Sequence, residues 1–158
     1  MAGRTDRASR LIGAPPASIY RAFVDPEALV SWLPPEGMTG HIEHFDPTAG
    51  GRYRMTLTYD AANHATSGKS SEHEDTVEGE FVALVPDCEV VQRAVFVSDD
   101  PAFAGAMTIT WRLEPAAGGT EVSIVCENVP SGIGAEDHAT GLASSLENLA
   151  AYCERRTA

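Results

Sequence analysis

The sequence predicts an α+β fold in which a curved antiparallel sheet wraps around one long C-terminal helix. In the segment that begins at Glu136, apolar residues recur at helical spacing, which indicates a single apolar stripe on a long helix: Ala139, Leu142, Ala143, Leu146, Leu149, Ala150 and Cys153. Residues 40–128 instead show alternation and turn residues that are typical of strands. Since about twenty helical residues span about 30 Å, such a helix can cross a whole sheet.

The segment before the sheet predicts one strand and two short helices. Residues 1–6 are expected to be a loose end, and residues 7–13 a first strand. Pro16 suits the first turn of a helix. Residues 25–27 read Asp-Pro-Glu, which supplies a cap, a fixed first turn and an acid at the positive helix end, and the prolines at 34–35 end this second helix.

Six strands are predicted to follow, which gives the order strand, two helices, six strands, long helix. Glycine pairs at 50–51 and 118–119 predict hairpin turns, and residues 60–73 predict a polar loop. The alternation assigns inward faces to three of the strands: Tyr53, Met55, Leu57 and Tyr59; Met107, Ile109, Trp111 and Leu113; Val122, Ile124 and Cys126.

Length and charge limit the classes of function. The chain has 158 residues and a formal net charge of −12, so we expect one domain over 1–158 with loose ends at 1–6 and 156–158. An acidic surface repels phosphate backbones and anionic membranes, so neither nucleic acid nor a membrane is an expected partner.

The cysteine count and the hydropathy predict a reducing compartment inside the cell. Cys88, Cys126 and Cys153 are an odd set without CxxC spacing, which favours free thiols in a reducing environment. The N-terminus has no secretion-like apolar core, and no apolar run reaches the about 18 residues of a membrane helix. We therefore expect a cytoplasmic protein.

The histidines do not predict a metal site. His41 and Glu43 share a strand face, whereas His44 points the other way, and a metal needs three or more converging ligands. His73 is expected to be solvated among loop acids. No metal and no cofactor are predicted.

Three polar or reactive residues remain as candidates for the interior. Arg93 either points inward, where it would bind an anionic head group, or outward with Gln92 inward. His138, beside Asp137 in the first turn of the long helix, is either a surface residue or a base at the mouth of a cavity. Cys126 is expected to be a buried structural thiol.

The sequence resembles the SRPBCC (START-like, birch-pollen-allergen-like) superfamily. Pro16 to Trp32 reads P-x-x-I-Y-x-A-F-x-D-P-x-x-L-x-x-W, like the opening signature of that superfamily. PPEGM, FDPTAGGRYR, GGTEVSI and EDHATGLASSLENLAAY follow in order. More narrowly, these segments resemble the branch related to the C-terminal domain of the heat-shock-protein-90 ATPase activator, which has many single-domain bacterial members.

The resemblance implies a helix-grip fold with a hydrophobic cavity between the sheet and the long helix. It also implies a small hydrophobic or amphipathic ligand, such as a lipid, and leaves a homodimer possible. Together with the alternation, it predicts these ligand-binding residues: Trp32, Phe45, Tyr53, Met55, Phe81, Arg93, Met107, Trp111, Cys126, His138, Leu142 and Leu146.

Two other functions stay open beside ligand binding. A cyclase or dehydratase acting on a polyketide-like substrate would need an inward acid–base pair, for which His41 with Glu43 or His138 with Asp137 are candidates. A co-chaperone-like interaction module would instead show a docking patch and a core without a cavity.

Overall fold

The protein is described here by a computed structural model that covers residues 4–34, 38–59, 74–98 and 100–157. The elements in chain order are β1 (Arg4–Ile12), α1 (Pro16–Val24), α2 (Pro26–Trp32), β2 (Met38–Phe45), β3 (Arg52–Tyr59), β4 (Glu74–Val85), β5 (Glu89–Phe96), a 3₁₀ helix (Pro101–Phe103), β6 (Met107–Ala116), β7 (Gly119–Val129) and α3 (Ala135–Thr157). The predicted α+β order is confirmed.

The seven strands form one curved antiparallel sheet in the order β1-β7-β6-β5-β4-β3-β2. The chain therefore runs from one edge strand, β1, through two helices to the other edge, β2, and then back across the sheet. Gly50 and Gly118 have φ values of 87° and 89°, in the left-handed region that favours glycine. The glycine pairs lie at hairpin turns as predicted.

Both predicted loose ends are partly wrong. β1 begins at Arg4, because Arg4 and Asp6 pair with Val129 and Cys126 of β7. At the other end, α3 continues to Thr157, so residues 156 and 157 are helical. The predicted loop at 60–73, with His73, lies outside the described residues.

The two short helices are held by the groups that predicted them. Asp25 caps α2 by accepting a hydrogen bond from the backbone N–H of Glu27 at 3.0 Å. Trp32 at the end of α2 donates its indole N–H to the carbonyl of Ala22 in α1 at 2.9 Å. This bond joins the two helices and leaves the indole ring fully buried.

One face of α3 packs into the core through a narrower stripe than predicted. Ala139 and Ala143, expected on that stripe, are exposed. The buried apolar residues of α3 are Leu142, Leu146, Leu149, Ala150 and Cys153.

Two hydrogen bonds attach the middle of α3 to the end of α2. Ser145 Oγ donates to the carbonyl of Leu33 at 2.7 Å, and Asn148 Nδ2 donates to the carbonyl of Pro34 at 3.0 Å. These bonds divide the helix into an anchored C-terminal half and an N-terminal half that faces the inner side of the sheet.

Candidate ligand-binding cavity

A cavity of about 570 Å³ lies between the N-terminal half of α3 and the inner face of the sheet. Because side chains alternate along a strand, the residues of β3, β5 and β6 that reach it are spaced two apart. Most of these residues are apolar. The strand residues that line it on β3, β5 and β6 are Tyr53, Met55, Leu57, Gln92, Ala94, Phe96, Met107, Ile109 and Trp111.

Seven of the twelve predicted ligand-binding residues line this cavity, and their contact with a ligand stays a prediction. They are Tyr53, Met55, Met107, Trp111, Cys126, His138 and Leu142. The other five lie elsewhere: Trp32, Phe45, Phe81, Arg93 and Leu146.

Three of those five belong to the packed core, and a fourth, Phe45, is half-buried against it. The Trp32 ring packs edge-on against Trp111, with 5.6 Å between ring centroids, so it supports the cavity wall from behind. Phe81 packs against both Phe45 and Tyr53, at 5.6 and 5.3 Å. Leu146 is fully buried in the core. Periodicity places all four inside but does not separate core from lining.

Arg93 points outward, and Gln92 points into the cavity. Gln92 pairs with Phe81 on β4 and Ile109 on β6, and residues paired across strands share a face of the sheet. Arg93 is exposed, opposite Glu80 in the register. The inward alternative for Arg93 is therefore wrong, as expected from the cost of burying an unpaired charge.

Tyr53 brings an unused hydroxyl to the cavity. Its side chain crosses Gly79 on β4, where a Cβ would overlap the phenol ring. The residue is 6% exposed, and its hydroxyl has no hydrogen-bond partner among the described residues. Burial raises the pKa of Tyr53, so the hydroxyl stays protonated. It can donate a hydrogen bond to a bound molecule.

Gln92 brings a second unused polar group. Its Oε1 accepts from the indole N–H of Trp111 at 3.3 Å, and because an indole only donates, this contact fixes the amide orientation. The amide nitrogen then has no protein partner within the described ranges. Gln92 is also 6% exposed and lines the cavity.

His138 pairs with Asp6 of β1 and not with Asp137, so the predicted pair is wrong. Its Nδ1 lies 2.6 Å from Asp6 Oδ2, and Arg4 holds both Asp6 oxygens at 3.0 Å. Burial raises the pKa of Asp6, but the hydrogen bonds from His138 and Arg4 outweigh burial and hold that pKa below its ordinary value. An ionised Asp6 accepts, so the proton is on Nδ1.

This pairing leaves the other ring nitrogen available. Nε2 of His138 has no hydrogen-bond partner among the described residues, and the residue lines the cavity. When the imidazole is neutral, a proton on Nδ1 makes Nε2 an acceptor. The Asp6–His138 pair therefore presents a candidate base to the cavity.

Cys126 lies beside this pair but is unsuited to act as a nucleophile. Burial, with a smaller contribution from the negative charge of Asp6, raises the pKa of Cys126 to about 12. The thiol therefore stays protonated near neutrality, whereas a reactive cysteine needs its thiolate. The expectation of a buried thiol agrees with its 1% exposure.

Two other features of the cavity were not found from the sequence. Asp75 of β4 is 3% exposed and lines the cavity. Gly141 of α3 also lines it, and a Cβ at this position would meet nothing within 4 Å. Glycine inside a helix costs about 0.5–1 kcal/mol relative to alanine, so its presence opposite the cavity keeps space open at the expense of helix stability.

The predicted pair of His41 and Glu43 is not assembled as an acid–base site. Both residues are exposed on β2, and Glu43 lies 3.5 Å from the guanidinium of Arg54. Across the described residues, no group of three or more His, Cys, Asp or Glu side chains converges in a way that could hold a metal ion.

Residues 13–154 match the family described as Activator of Hsp90 ATPase homolog 1-like protein. The chain belongs to this family. The family lies within the SRPBCC superfamily, whose fold commonly binds hydrophobic ligands. The resemblance seen in the sequence, and the helix-grip fold that it implies, are therefore confirmed.

Solved structures extend this result. A protein from Chromobacterium violaceum is 36% identical, with a TM-score of 0.83 over 95% of this chain and 96% of that chain. One from Rhodobacter sphaeroides is 19% identical, with a TM-score of 0.75 over 98% of this chain and 97% of that chain. A protein from the dynemicin biosynthetic locus is 20% identical, with a TM-score of 0.65 over 95% of this chain and 47% of that chain. The last two show the fold alone.

No protein of curated function matches the chain. None of the helices in the described ranges combines the length and the apolar character that crossing a membrane requires.

Proposed function

We propose that the protein binds a small hydrophobic or amphipathic molecule in the cavity between the sheet and α3. The observation that carries the proposal is the state of Tyr53 and Gln92. Each is 6% exposed, each lines the cavity, and each holds a hydrogen-bonding group with no partner among the described residues. Among the described residues no fully buried side-chain N or O atom lacks a hydrogen-bond partner, so these two groups face open space in the cavity, where a bound molecule can hydrogen-bond to them.

The size and composition of the cavity support the same function. A volume of about 570 Å³ falls within the roughly 300–1,000 Å³ of ordinary small-molecule sites. Mostly apolar walls with a few polar groups are typical of such sites. Each Å² of apolar surface that a ligand buries contributes about 25 cal/mol, from which the cost of association is subtracted. A cavity also argues against the interaction-module alternative, which expects a filled core.

The first test is displacement of a neutral fluorescent probe, N-phenyl-1-naphthylamine, from the purified protein. Gly141→Trp places an indole in open space inside the cavity and should reduce probe binding at least about tenfold. Ala143→Trp makes the same change at an exposed site of α3 that does not line the cavity, and should leave binding unchanged. Equal effects of the two variants, or no binding to the wild-type protein, would reject the proposal.

A second candidate function is dehydration of a β-hydroxycarbonyl compound, favoured by the Asp6–His138 pair. Nε2 of His138 would take the proton from the carbon beside the carbonyl. As the carbon–carbon double bond forms, the carbon–oxygen bond to the hydroxyl breaks, and the imidazolium returns its proton to the leaving hydroxide as water. No oxidant or second substrate is needed.

The enzyme function is tested with 4-hydroxy-4-phenylbutan-2-one, whose enone product absorbs in the near ultraviolet. His138→Gln should lower the rate about 100-fold or more, the usual contribution of a general base. Asp6→Asn should lower kcat with a smaller change in KM, because Asp6 orients the imidazole. A rate that does not exceed the buffer rate, or that is insensitive to both changes, removes this candidate and leaves ligand binding.

A further inference from the structure

We infer that the cavity selects an uncharged polar head group and excludes carboxylate and phosphate head groups. The inference rests on the proposed function and concerns the chemical class of its ligand. It follows from the sign of the charges around the cavity and from the hydrogen-bonding groups that the protein leaves unused there.

The charged side chains at the cavity are acidic. Asp75 on β4 and Asp137 on α3 both line it, and Asp75, which is 3% exposed, also interacts within the protein. Among the lining residues within the described ranges, none is Lys or Arg. An anion in this part of the cavity would lose its hydration without meeting a Lys or Arg among the described lining residues, which is the costly case for burial.

Two cationic groups in the described part of the chain are already committed or face away. The Arg4 guanidinium binds both oxygens of Asp6, and Asp6 also holds Nδ1 of His138. His138 is therefore paired with a carboxylate, even where it lines the cavity. Arg93, which would have recognised an anion, is on the outer face of β5.

The N-terminal end of α3 does not make the cavity favourable for anions. A helix N-terminus alone favours anions. Here its first turn contains Glu136 and Asp137, which lie at the positive end of the helix dipole. The backbone N–H of His138 is bonded to the carbonyl of Gly134 at 2.9 Å. The local positive potential is thus offset by the protein's own acids.

The unused polar groups match an alcohol or a carbonyl. The Gln92 amide nitrogen donates, the Tyr53 hydroxyl donates or accepts, and Nε2 of a neutral His138 accepts. A hydroxyl can both donate and accept, so it can satisfy groups of either kind. Burying an uncharged group of this type with its hydrogen bonds made costs far less than burying an ion.

The test compares 1-decanol with decanoate, which share a chain and differ in the charge of the head. Each compound is titrated as a competitor of the neutral naphthylamine probe on the wild-type protein near neutral pH. We expect 1-decanol to bind at least about tenfold more tightly. Decanoate binding equally well or better overturns the inference and leaves the proposed function standing. If neither compound displaces the probe, and the probe binds the wild-type protein no better than it binds Gly141→Trp, both the inference and the proposed function are overturned.

A charge variant separates local from global electrostatics. Thr140 is exposed and lines the cavity, whereas Ala139 is exposed on α3 and does not. Thr140→Lys should reduce the preference for 1-decanol over decanoate about threefold or more, and Ala139→Lys should leave it nearly unchanged. If the preference for 1-decanol changes equally in both variants, the discrimination comes from the net charge of −12 and not from the cavity, and the inference is overturned.

Discussion

Removing the Tyr53 hydroxyl should separate binding from stability. In Tyr53→Phe the ring that crosses Gly79 stays, and only an oxygen without a described protein partner is lost. The free energy of unfolding should therefore stay unchanged or rise by up to about 1 kcal/mol, because a polar group at the cavity is removed without breaking a described hydrogen bond within the protein. The affinity for 1-decanol should fall by about 0.5–1.5 kcal/mol, or about 2–12-fold.

Thr120→Val is the matched control. Thr120 is fully buried, and its Oγ1 donates to the carbonyl of Ala14 at 2.7 Å. Loss of this hydroxyl removes a bond that the protein makes, so the free energy of unfolding should drop by about 1–3 kcal/mol while affinity for the alcohol is unchanged. Urea unfolding with a fitted m-value measures stability, and probe displacement measures affinity.

A large loss of stability in Tyr53→Phe would contradict a role of its hydroxyl in ligand binding. If Tyr53→Phe lowers the free energy of unfolding by more than about 1 kcal/mol, its hydroxyl makes a bond within the protein. Tyr53 would then be a structural residue and would no longer support a ligand. A stable Tyr53→Phe protein with unchanged affinity for 1-decanol would remove Tyr53 from the site while leaving the cavity as it is.

Three further outcomes are expected. Gly79→Ala should displace the Tyr53 ring, because a Cβ at this position would overlap it. The affinity for the naphthylamine probe should fall, and the free energy of unfolding measured in urea should fall by about 1–3 kcal/mol. Because the pKa of Asp6 is lowered in the folded state, its carboxylate stabilises the protein above about pH 4. Asp6→Asn should thus be less stable at neutral pH, and the difference should shrink as pH falls below that value. With iodoacetamide at about pH 8, exposed Cys88 should react at least about tenfold faster than Cys126, whose pKa is about 12; peptide mass mapping gives both rates, and equal rates would refute the assigned burial.

Periodicity was sufficient wherever a strand has apolar residues on one face only. On β3 the alternation placed Tyr53 and Met55 inside, and on β6 it placed Met107 and Trp111 inside. When a strand has one polar face and one apolar face, only one pairing register with its neighbour buries all of its apolar side chains. For the same reason the long stripe of α3 was visible, although the exposed Ala139 shows that alanine marks a helix face poorly.

Periodicity failed where both faces of a strand are apolar or where partners are distant. On β5, Val95 is exposed on the same face as Arg93, so apolar residues occur on both faces and the pattern left the orientation of Arg93 open. Asp6 and His138 are 132 residues apart, and the polar start of β1 does not resemble a strand. Only the pairing of β1 with β7 brings Asp6 to α3, and that pairing depends on tertiary structure.

The division of α3 into two halves separates what keeps the chain folded from what it recognises. Leu149, Ala150 and Cys153 hold the C-terminal half in the core, and the Ser145 and Asn148 hydrogen bonds fix its start. Asp137, Thr140 and Gly141 contribute mainly to the cavity wall. Variation in those few positions can therefore change ligand preference at little cost in folding. The first turns of this one helix are accordingly the place to randomise when a new specificity is selected on this scaffold.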